Sequence, residues 1–149
     1  MRIEISEATG RDVEEISALS IQTYVGAFGA DFAPDDLAHH LAQTLSVERW
    51  NAYFSRDRVL VARRGSDALG YIQFGPSDDG RGVEIRRVYV LAAAQNQSIG
   101  TQLLQAALAS PECRMATTLY VDVREAMRAP GGSTSGLALH IMERRNPFG

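Results

Sequence analysis

The sequence predicts a mixed α/β fold in which a mainly antiparallel sheet is flanked by helices, in the order β-α-α-β-β-β-α-β. Three observations predict it. Apolar and polar residues alternate at the start of the chain, two segments have apolar residues near helical spacing, and later apolar runs are separated by turn residues. The chain has 149 residues, of which 45% are hydrophobic and 22% are charged, as is typical of one soluble domain with a buried core.

The first third of the chain predicts one strand and two helices. Residues 2–8 alternate between apolar and polar and predict a short strand. Apolar residues over 13–24 approach helical spacing, and the glycines within 26–29 predict the end of that helix. A proline and two aspartates open a second helix over 34–45, and 50–54 predicts a further helical piece.

The middle of the chain predicts a meander followed by a crossover. Apolar runs at 59–62, 68–74 and 83–91 are separated by turn residues and predict antiparallel strands. The periodicity over 99–108 predicts a helix, and 118–123 predicts a last strand. A connection through a helix favours a last strand parallel to its predecessor.

Charge and composition exclude several classes of partner. The net charge of −3 argues against a nucleic-acid partner, and no apolar run is long enough to predict a membrane partner. The lone Cys113 cannot form an internal disulfide, so we expect a cytoplasmic protein, and its turn-like surroundings predict a plain loop residue. His39 and His40 are adjacent and point in different directions on a helix, so no metal site is predicted.

The most informative stretch is a strand, a polar loop and a helix start. It reads Glu84-Ile-Arg-Arg-Val-Tyr-Val90 and then Gln95-Asn-Gln-Ser-Ile-Gly100-Thr-Gln-Leu-Leu. Free N–H groups and the helix dipole at such a junction favour an anion, and Gly100 would let the backbone approach it closely. An ordinary strand-loop-helix connection is the alternative, because a single glycine is weak evidence.

This combination resembles the acetyl-CoA signature of the GNAT family of N-acetyltransferases: an apolar-Tyr-Val strand end and then Arg/Gln-x-x-Gly-x-Gly/Ala opening a helix. Gln95 takes the Arg/Gln position, Gly100 takes the second glycine, and Ser98 replaces the first. We expect the Ser98 hydroxyl to cap the helix. The resemblance covers residues 2–125, which are predicted to form a GNAT acyl-CoA-binding core.

The resemblance implies acetyl-CoA as cosubstrate, no metal, and a small-molecule amine or a protein amine as acceptor. The pantetheine arm would pair with the backbone of Val88 and Val90 like an added strand, and loop N–H groups would hold the pyrophosphate. The implied cofactor-binding residues are Val88, Tyr89, Val90, Gln95, Asn96, Gln97, Ser98, Ile99, Gly100 and Thr101.

The implied reaction is direct attack of a neutral amine on the thioester carbonyl. Alkyl amines are mostly protonated at pH 7, so a base or a water chain must remove a proton. Glu84 is the predicted base, although it could equally be a solvent-facing carboxylate paired with Arg86 or Arg87. The Val90 N–H is the predicted oxyanion donor, since a fixed backbone dipole needs no reorganisation.

Aromatic residues of the first helices allow two interpretations. In this family the helices flank the acceptor site, so Tyr24, Phe28, Phe32 and Trp50 could line an acceptor pocket. As the main aromatics of amphipathic helices, they could equally be core.

The tail, residues 126–149, departs from the family. A second signature, Asn-x-x-Ala-x-x-(apolar)-Tyr-x-x-x-Gly-Phe on a helix, is absent, and Pro130 opposes such a helix. Read one base earlier from about Glu125, however, the codons permit S-N-A-R-A-R-R-F-Y-E-R-L-G-F, which matches that signature. We therefore predict a frameshifted tail, with a genuine divergent C-terminus as the alternative.

Without the usual last helix and strands, the tail is predicted to be irregular and catalysis to be impaired. The sheet edge beside 118–123 would be open to pairing with 137–142 or with a second copy in a homodimer. The rival functions are a catalytically inactive acyl-CoA-binding or interaction module and, less favoured, a nucleotide-binding protein, since no lysine follows the glycine as in a P-loop.

Overall fold

The computed structural model describes residues 2–121 and 144–145. Within these residues, six strands form one sheet in the order β1-β2-β3-β4-β5-β6. The strands are β1 (Ile3–Ala8), β2 (Arg58–Arg64), β3 (Asp67–Pro76), β4 (Gly82–Val90), β5 (Thr118–Val121) and β6 (Arg144–Arg145). The helices are α1 (Val13–Phe28), α2 (Pro34–Thr44), α3 (Val47–Phe54), α4 (Ile99–Leu108) and α5 (Pro111–Met115).

The sheet is mainly antiparallel, as predicted. Strands β1 to β4 pair antiparallel in sequence, and β5 pairs parallel with β4 after the α4 crossover. The predicted order through β5, apart from the added helix α5, and the parallel pairing of β5 with β4 are therefore confirmed over the described residues. The piece predicted at 50–54 is a full helix from Val47, because the Ser46 side chain caps it by accepting from Arg49 N.

Two apolar cores lie on opposite faces of the sheet. On one face, α4 buries Ile99, Leu103 and Ala107 against the inner strands. On the other, α1 and α3 bury a larger aromatic set that includes Trp50, which is fully buried and donates Nε1–H to Ser20 Oγ at 2.9 Å. This three-layer arrangement holds β4, near the middle of the sheet, between the two cores.

Cys113 was predicted to be a loop residue, and that prediction is wrong. It lies half-buried in the short helix α5. Ser110 caps this helix by accepting from Cys113 N at 3.4 Å, and Pro111 occupies its first turn. A serine followed by a proline is a helix start signal, and it overrides the turn-like composition of this stretch.

The tail adds one element that can be described. Arg145 pairs with Thr118 and Arg144 with Leu119, so β6 lies antiparallel on the outer edge of β5. The expectation of irregular structure therefore fails at these two residues. The predicted pairing by 137–142, like the predicted absence of the last helix, lies outside the described residues. Over the residues that are described, no helix is both long and apolar enough to cross a membrane.

Candidate functional site

The C-terminal half of β4 directs backbone groups away from β3. Just beyond β4, Leu91 N donates to Leu69 O at 2.8 Å, and the register places Gly70 opposite Val90. Hydrogen-bonded and non-hydrogen-bonded pairs alternate in an antiparallel ladder. The N–H and C=O groups of Val90 and Val88 therefore point toward the β5 side of the sheet.

Strand β5 does not reach these groups within the described residues. Its pairing with β4 covers Gly82 to Ile85. The edge at Val88 and Val90 thus resembles an edge strand, which can take an extended ligand by backbone pairing. The Val90 carbonyl already accepts from Gln95 Nε2 at 3.2 Å, so Gln95 fixes the start of the loop against the strand end.

The loop after β4 leads directly into the N-terminus of α4. A 3₁₀ helix, Ala92–Gln97, ends at Ser98. The first bond of the α4 ladder runs from Gln102 N to Ser98 O at 3.0 Å, so the N–H groups of Ile99, Gly100 and Thr101 have no acceptor within the helix. These donors and the helix dipole together favour an anion at this end of β4.

Ser98 does not cap α4, contrary to prediction. Its backbone has φ 57° and ψ 25°, and its side chain makes no capping hydrogen bond. Among the described residues it is the one non-glycine residue with a positive φ. A cap requires an extended backbone that aims the hydroxyl at the first turn, and the left-handed conformation does not provide it. The signature that Ser98 interrupts has a glycine here, and glycine adopts this conformation without strain.

Side chains from other elements hold the loop in place. The guanidinium of Arg64, at the end of β2, donates to the Gln97 side chain. Since β2 and β4 run in the same direction, Arg64 lies at the sheet end from which the loop departs. It places positive charge beside the α4 N-terminus. Ala94 is buried in the core under α4 and anchors the middle of the loop.

Glu84 lies on the first half of β4, between Gly75 of β3 and Tyr120 of β5. Its carboxylate accepts from Arg86 Nη1 at 2.8 Å, and its side chain is 31% exposed. Arg86 rather than Arg87 is therefore its partner. Glu84 keeps access to solvent, and its role as a base stays a prediction.

The remaining sequence candidates are mostly core. Trp50 has no exposed surface, and Tyr24 and Phe28 are buried beside Tyr89 of β4. Only Phe32 is partly exposed, and it stacks on His40 at 5.6 Å. The described residues contain no group of three His, Cys, Asp or Glu side chains placed to hold a metal ion.

Comparison with known proteins assigns the chain to a family. The model of the acetyltransferase (GNAT) family matches residues 23–130, more than half of the chain. The match spans β4, the loop and α4. The chain belongs to the GNAT acetyltransferase family. The predicted family is confirmed, and the strand-loop-helix motif that carried the prediction lies inside the matched region.

Relatives and solved structures agree with the GNAT assignment. An uncharacterised N-acetyltransferase of Lactobacillus delbrueckii subsp. lactis is 25% identical over 111 residues, which cover 69% of this chain and 64% of the relative. One of Mycobacterium tuberculosis is 28% identical over 116 residues, covering 76% and 74%. This chain therefore spans just under two thirds of the first relative's length.

A solved structure has a similar fold. The PaiA N-acetyltransferase of Thermoplasma acidophilum, solved in complex with coenzyme A, matches with a TM-score of 0.71 and 16% identity, over 81% of this chain and 79% of that one. At this identity the likeness shows the fold alone. It confirms the predicted GNAT-like mixed sheet.

Sequence reasoning missed the polar groups next to Glu84. Asp57 and Gln73 are buried and hydrogen-bonded to each other at 2.7 Å, and Asp57 also binds Arg86. One signal was present in the sequence: Gln73 interrupts an otherwise apolar strand, and a buried amide needs a polar partner. The partner itself lies 16 residues away, so no local pattern points to it.

Proposed function

We propose that this GNAT chain binds acetyl-CoA along the edge of β4 that β5 leaves unpaired among the described residues, and that it transfers the acetyl group to a primary amine. The observation that carries the proposal is the meeting, at one end of β4, of outward backbone groups at Val88 and Val90 with unpaired N–H groups of the α4 N-terminus. An extended amide-containing arm suits the first set, and a pyrophosphate suits the second.

The chemistry would be direct attack. The amine nitrogen forms a bond to the thioester carbonyl carbon, the carbon–sulfur bond breaks, and the sulfur keeps the electron pair and takes a proton. An alkylammonium must first lose a proton, and Glu84 is the side chain proposed to receive it through water. A backbone N–H on β4 would donate to the carbonyl oxygen as negative charge develops there.

Two backbone donors compete for that oxyanion role. Val90 was predicted from the sequence, but it lies six residues from Glu84, whereas Val88 lies four residues away on the same strand. At about 3.3 Å per residue, a carbonyl at Val88 shortens the water path to Glu84 by roughly 7 Å. We propose Val88 as the nearer donor and Val90 as a pairing partner of the pantetheine arm.

Binding is tested at Thr101, which is exposed on the first turn of α4. Thr101→Glu should preserve the fold, because a carboxylate near a helix N-terminus is favourable, yet it should repel the pyrophosphate. We expect acetyl-CoA affinity to fall about tenfold relative to the neutral control Thr101→Gln, or about 1.4 kcal/mol. Equal acetyl-CoA affinities of the two variants in calorimetry would remove this loop from the site.

Turnover is tested by thiol release across a panel of small amines and peptide amines. If Glu84 is the base, Glu84→Gln should lower kcat about 100-fold and leave the acetyl-CoA melting shift intact. Binding without thiol release from any amine would favour the alternative, an inactive acyl-CoA-binding module. The panel also identifies whether the acceptor is a small molecule or a protein.

We also propose that the tail limits turnover. The shifted reading would restore the tyrosine-bearing helix of the family signature, and such a tyrosine would protonate the departing thiolate. A chain carrying that reading after Glu125 should release thiol faster than this one. If the encoding DNA read in that frame gives stop codons, the tail is native and the frameshift proposal is wrong.

A further inference from the structure

A β-bulge sets the direction of Arg86. Gln73 lies opposite Arg87 and Phe74 lies opposite Ile85, so Arg86 is the extra residue on β4. A bulge re-aims a side chain out of the regular alternation of a strand. Here it directs the Arg86 guanidinium to a carboxylate that precedes β2.

That carboxylate belongs to Asp57, whose side chain has no exposed surface. Arg86 Nε donates to both of its oxygens, at 3.1 and 3.0 Å, and Gln73 Nε2 donates to Oδ2 at 2.7 Å. Gly75 makes the room, because a Cβ there would overlap Asp57 Oδ1 and lie 3.2 Å from its Cα. A buried carboxylate is stable only when paired in this way.

Arg86 therefore connects two carboxylates. Its Nε faces Asp57, its Nη1 donates to Glu84 at 2.8 Å, and its Nη2 donates to the Pro76 carbonyl at 2.6 Å. All sides of the guanidinium are occupied, and its planar fork cannot turn without breaking one of these bonds. The position of the Glu84 carboxylate is thereby linked to Asp57.

We propose that Asp57 is a positioning residue for acetyl transfer. It pairs with Arg86 and balances part of the Arg86 charge. Arg86 in turn fixes the Glu84 carboxylate, which stays able to accept a proton. This inference rests on the proposed role of Glu84 as the base. Without Asp57, Arg86 would turn its full charge to Glu84 and oppose protonation there. Without Arg86, the Glu84 carboxylate would lose the hydrogen bond that fixes its position.

The other groups around Glu84 do not substitute for this pair. From β5, Tyr120 donates its hydroxyl to Asp79 of the β3–β4 turn. Arg87 donates to Gln73 and lies over the Tyr53 ring. Arg56 approaches Asp57 at 3.5 Å, but its side chain is half exposed.

The experiment compares two variants with opposite expectations. Asp57→Asn removes a negative charge near Glu84, so the acid limb of the pH–rate profile should move to lower pH and kcat should fall about tenfold or more. Arg86→Met removes the cation, so the acid limb should move to higher pH. In both, KM for acetyl-CoA should stay unchanged. Glu15→Gln, which breaks the Arg63–Glu15 ion pair on another part of the sheet, should change none of these quantities.

A second measurement does not need turnover. The carboxyl ¹³C signal of Glu84, assigned by its loss in Glu84→Gln, is followed against pH in glutamate-labelled protein. The pH at the midpoint of this change in signal should be lower in Asp57→Asn than in the wild type, and higher in Arg86→Met. If Asp57→Asn fails to fold, Arg86→Lys tests the same link, because an ammonium cannot hold both carboxylates in the fork geometry of arginine, and the signal should again move.

The outcomes separate the two claims. If the wild-type chain releases no thiol with any amine, the proposed function fails, whatever the Glu84 signal does. If the Glu84 signal and the pH profile are the same in Asp57→Asn and in wild type, the positioning role is overturned, even when acetyl transfer is observed. If the Glu84 signal follows the same curve against pH in Arg86→Lys and in the wild type, the positioning role is also overturned.

Discussion

The two halves of β4 are built in different ways. From Val83 to Ile85 the strand is paired on both sides, and the polar side chains of this half form a charge network around the bulge residue Arg86. From Val88 to Val90 it is paired on one side among the described residues, and it offers backbone groups on the other. The first half depends on side-chain charge, and the second depends on backbone conformation.

This difference determines which substitutions each half tolerates. A backbone site needs a strand direction, a helix start and the right φ angles, so many side chains can occupy it. A buried charge network needs particular residues, because loss of one partner leaves another charge unpaired in a low-dielectric place. We therefore expect the largest effects near Asp57 and smaller ones in the loop.

The largest effect is expected at Gly75. Gly75→Ala would push against Asp57, whose carboxylate is held by Arg86 and Gln73 and cannot move aside freely. We expect a loss of about 3 kcal/mol in the free energy of unfolding, as for a disturbed buried ion pair. The measurement is urea unfolding followed by circular dichroism.

The matched control is Gly26→Ala in the last turn of α1, where an added Cβ meets nothing within 4 Å. That variant should gain about 0.5–1 kcal/mol, because alanine favours a helix interior over glycine. A loss below about 1 kcal/mol at Gly75 would show that Asp57 can relax, and the contrast between the two halves of β4 would weaken.

The sequence predicted the strand, loop and helix of the backbone half but missed the network of the charged half, for a physical reason. The loop and the start of α4 are contiguous, so the spacing from Val88 to Gly100 encodes the whole arrangement. The Arg86 network joins Asp57, Gln73 and Glu84 from three strands or their ends. Its members meet only after β2, β3 and β4 pair and after the bulge turns Arg86, and no periodicity reports a bulge.

Ser98 provides a medium-sized test of the backbone half. Its left-handed conformation costs a non-glycine residue roughly 1 kcal/mol, and its side chain makes no capping bond that a substitution would lose. Ser98→Gly should therefore raise the free energy of unfolding by about 0.5–1 kcal/mol, offset partly by the entropy of the unfolded glycine. Thermal and urea unfolding measure it.

The control for Ser98 is Ser46, which caps α3 by accepting from Arg49 N at 3.3 Å. Ser46→Ala should lower the free energy of unfolding by about 1 kcal/mol, whereas Ser98→Gly should raise it. If Ser98→Gly also loses stability, its hydroxyl contributes to the folded state and the loop is not governed by backbone conformation alone.

The same contrast explains what the sequence predicted wrongly within the fold. Serine is a common helix cap, but Ser98 lies where the backbone must adopt a left-handed conformation that favours glycine. The chain turns there from the 3₁₀ helix into α4, so Ser98 does not cap the helix. Cys113 lies in a stretch with turn-like composition, but Ser110 and Pro111 start a helix. In both cases a single residue's preference was overridden by the neighbouring backbone.

The smallest effect is expected at the outer end of the charged half, where Tyr120 of β5 donates its hydroxyl to Asp79. This bond, with smaller contributions from Ser77 and the Arg81 N–H, lowers the pKa of Asp79 from 3.8 to about 2. Because the folded pKa is below the unfolded one, the stabilisation is fully present above about pH 4 and is lost as the pH falls through 2. Asp79 is exposed, so water competes for the carboxylate and the effect is small.

Tyr120→Phe should therefore lower the urea midpoint at pH 6, and the difference from wild type should shrink as the pH falls from 4 toward 2. Asp79→Asn is the control, since it removes the titrating group and should leave a midpoint with little pH dependence from this site. If the difference in urea midpoint between Tyr120→Phe and the wild type stays constant from pH 6 to pH 2, the Tyr120 hydroxyl stabilises β5 without the Asp79 charge. The charged half of β4 would then end at Glu84, because Tyr120 would contribute through packing and neutral hydrogen bonding alone.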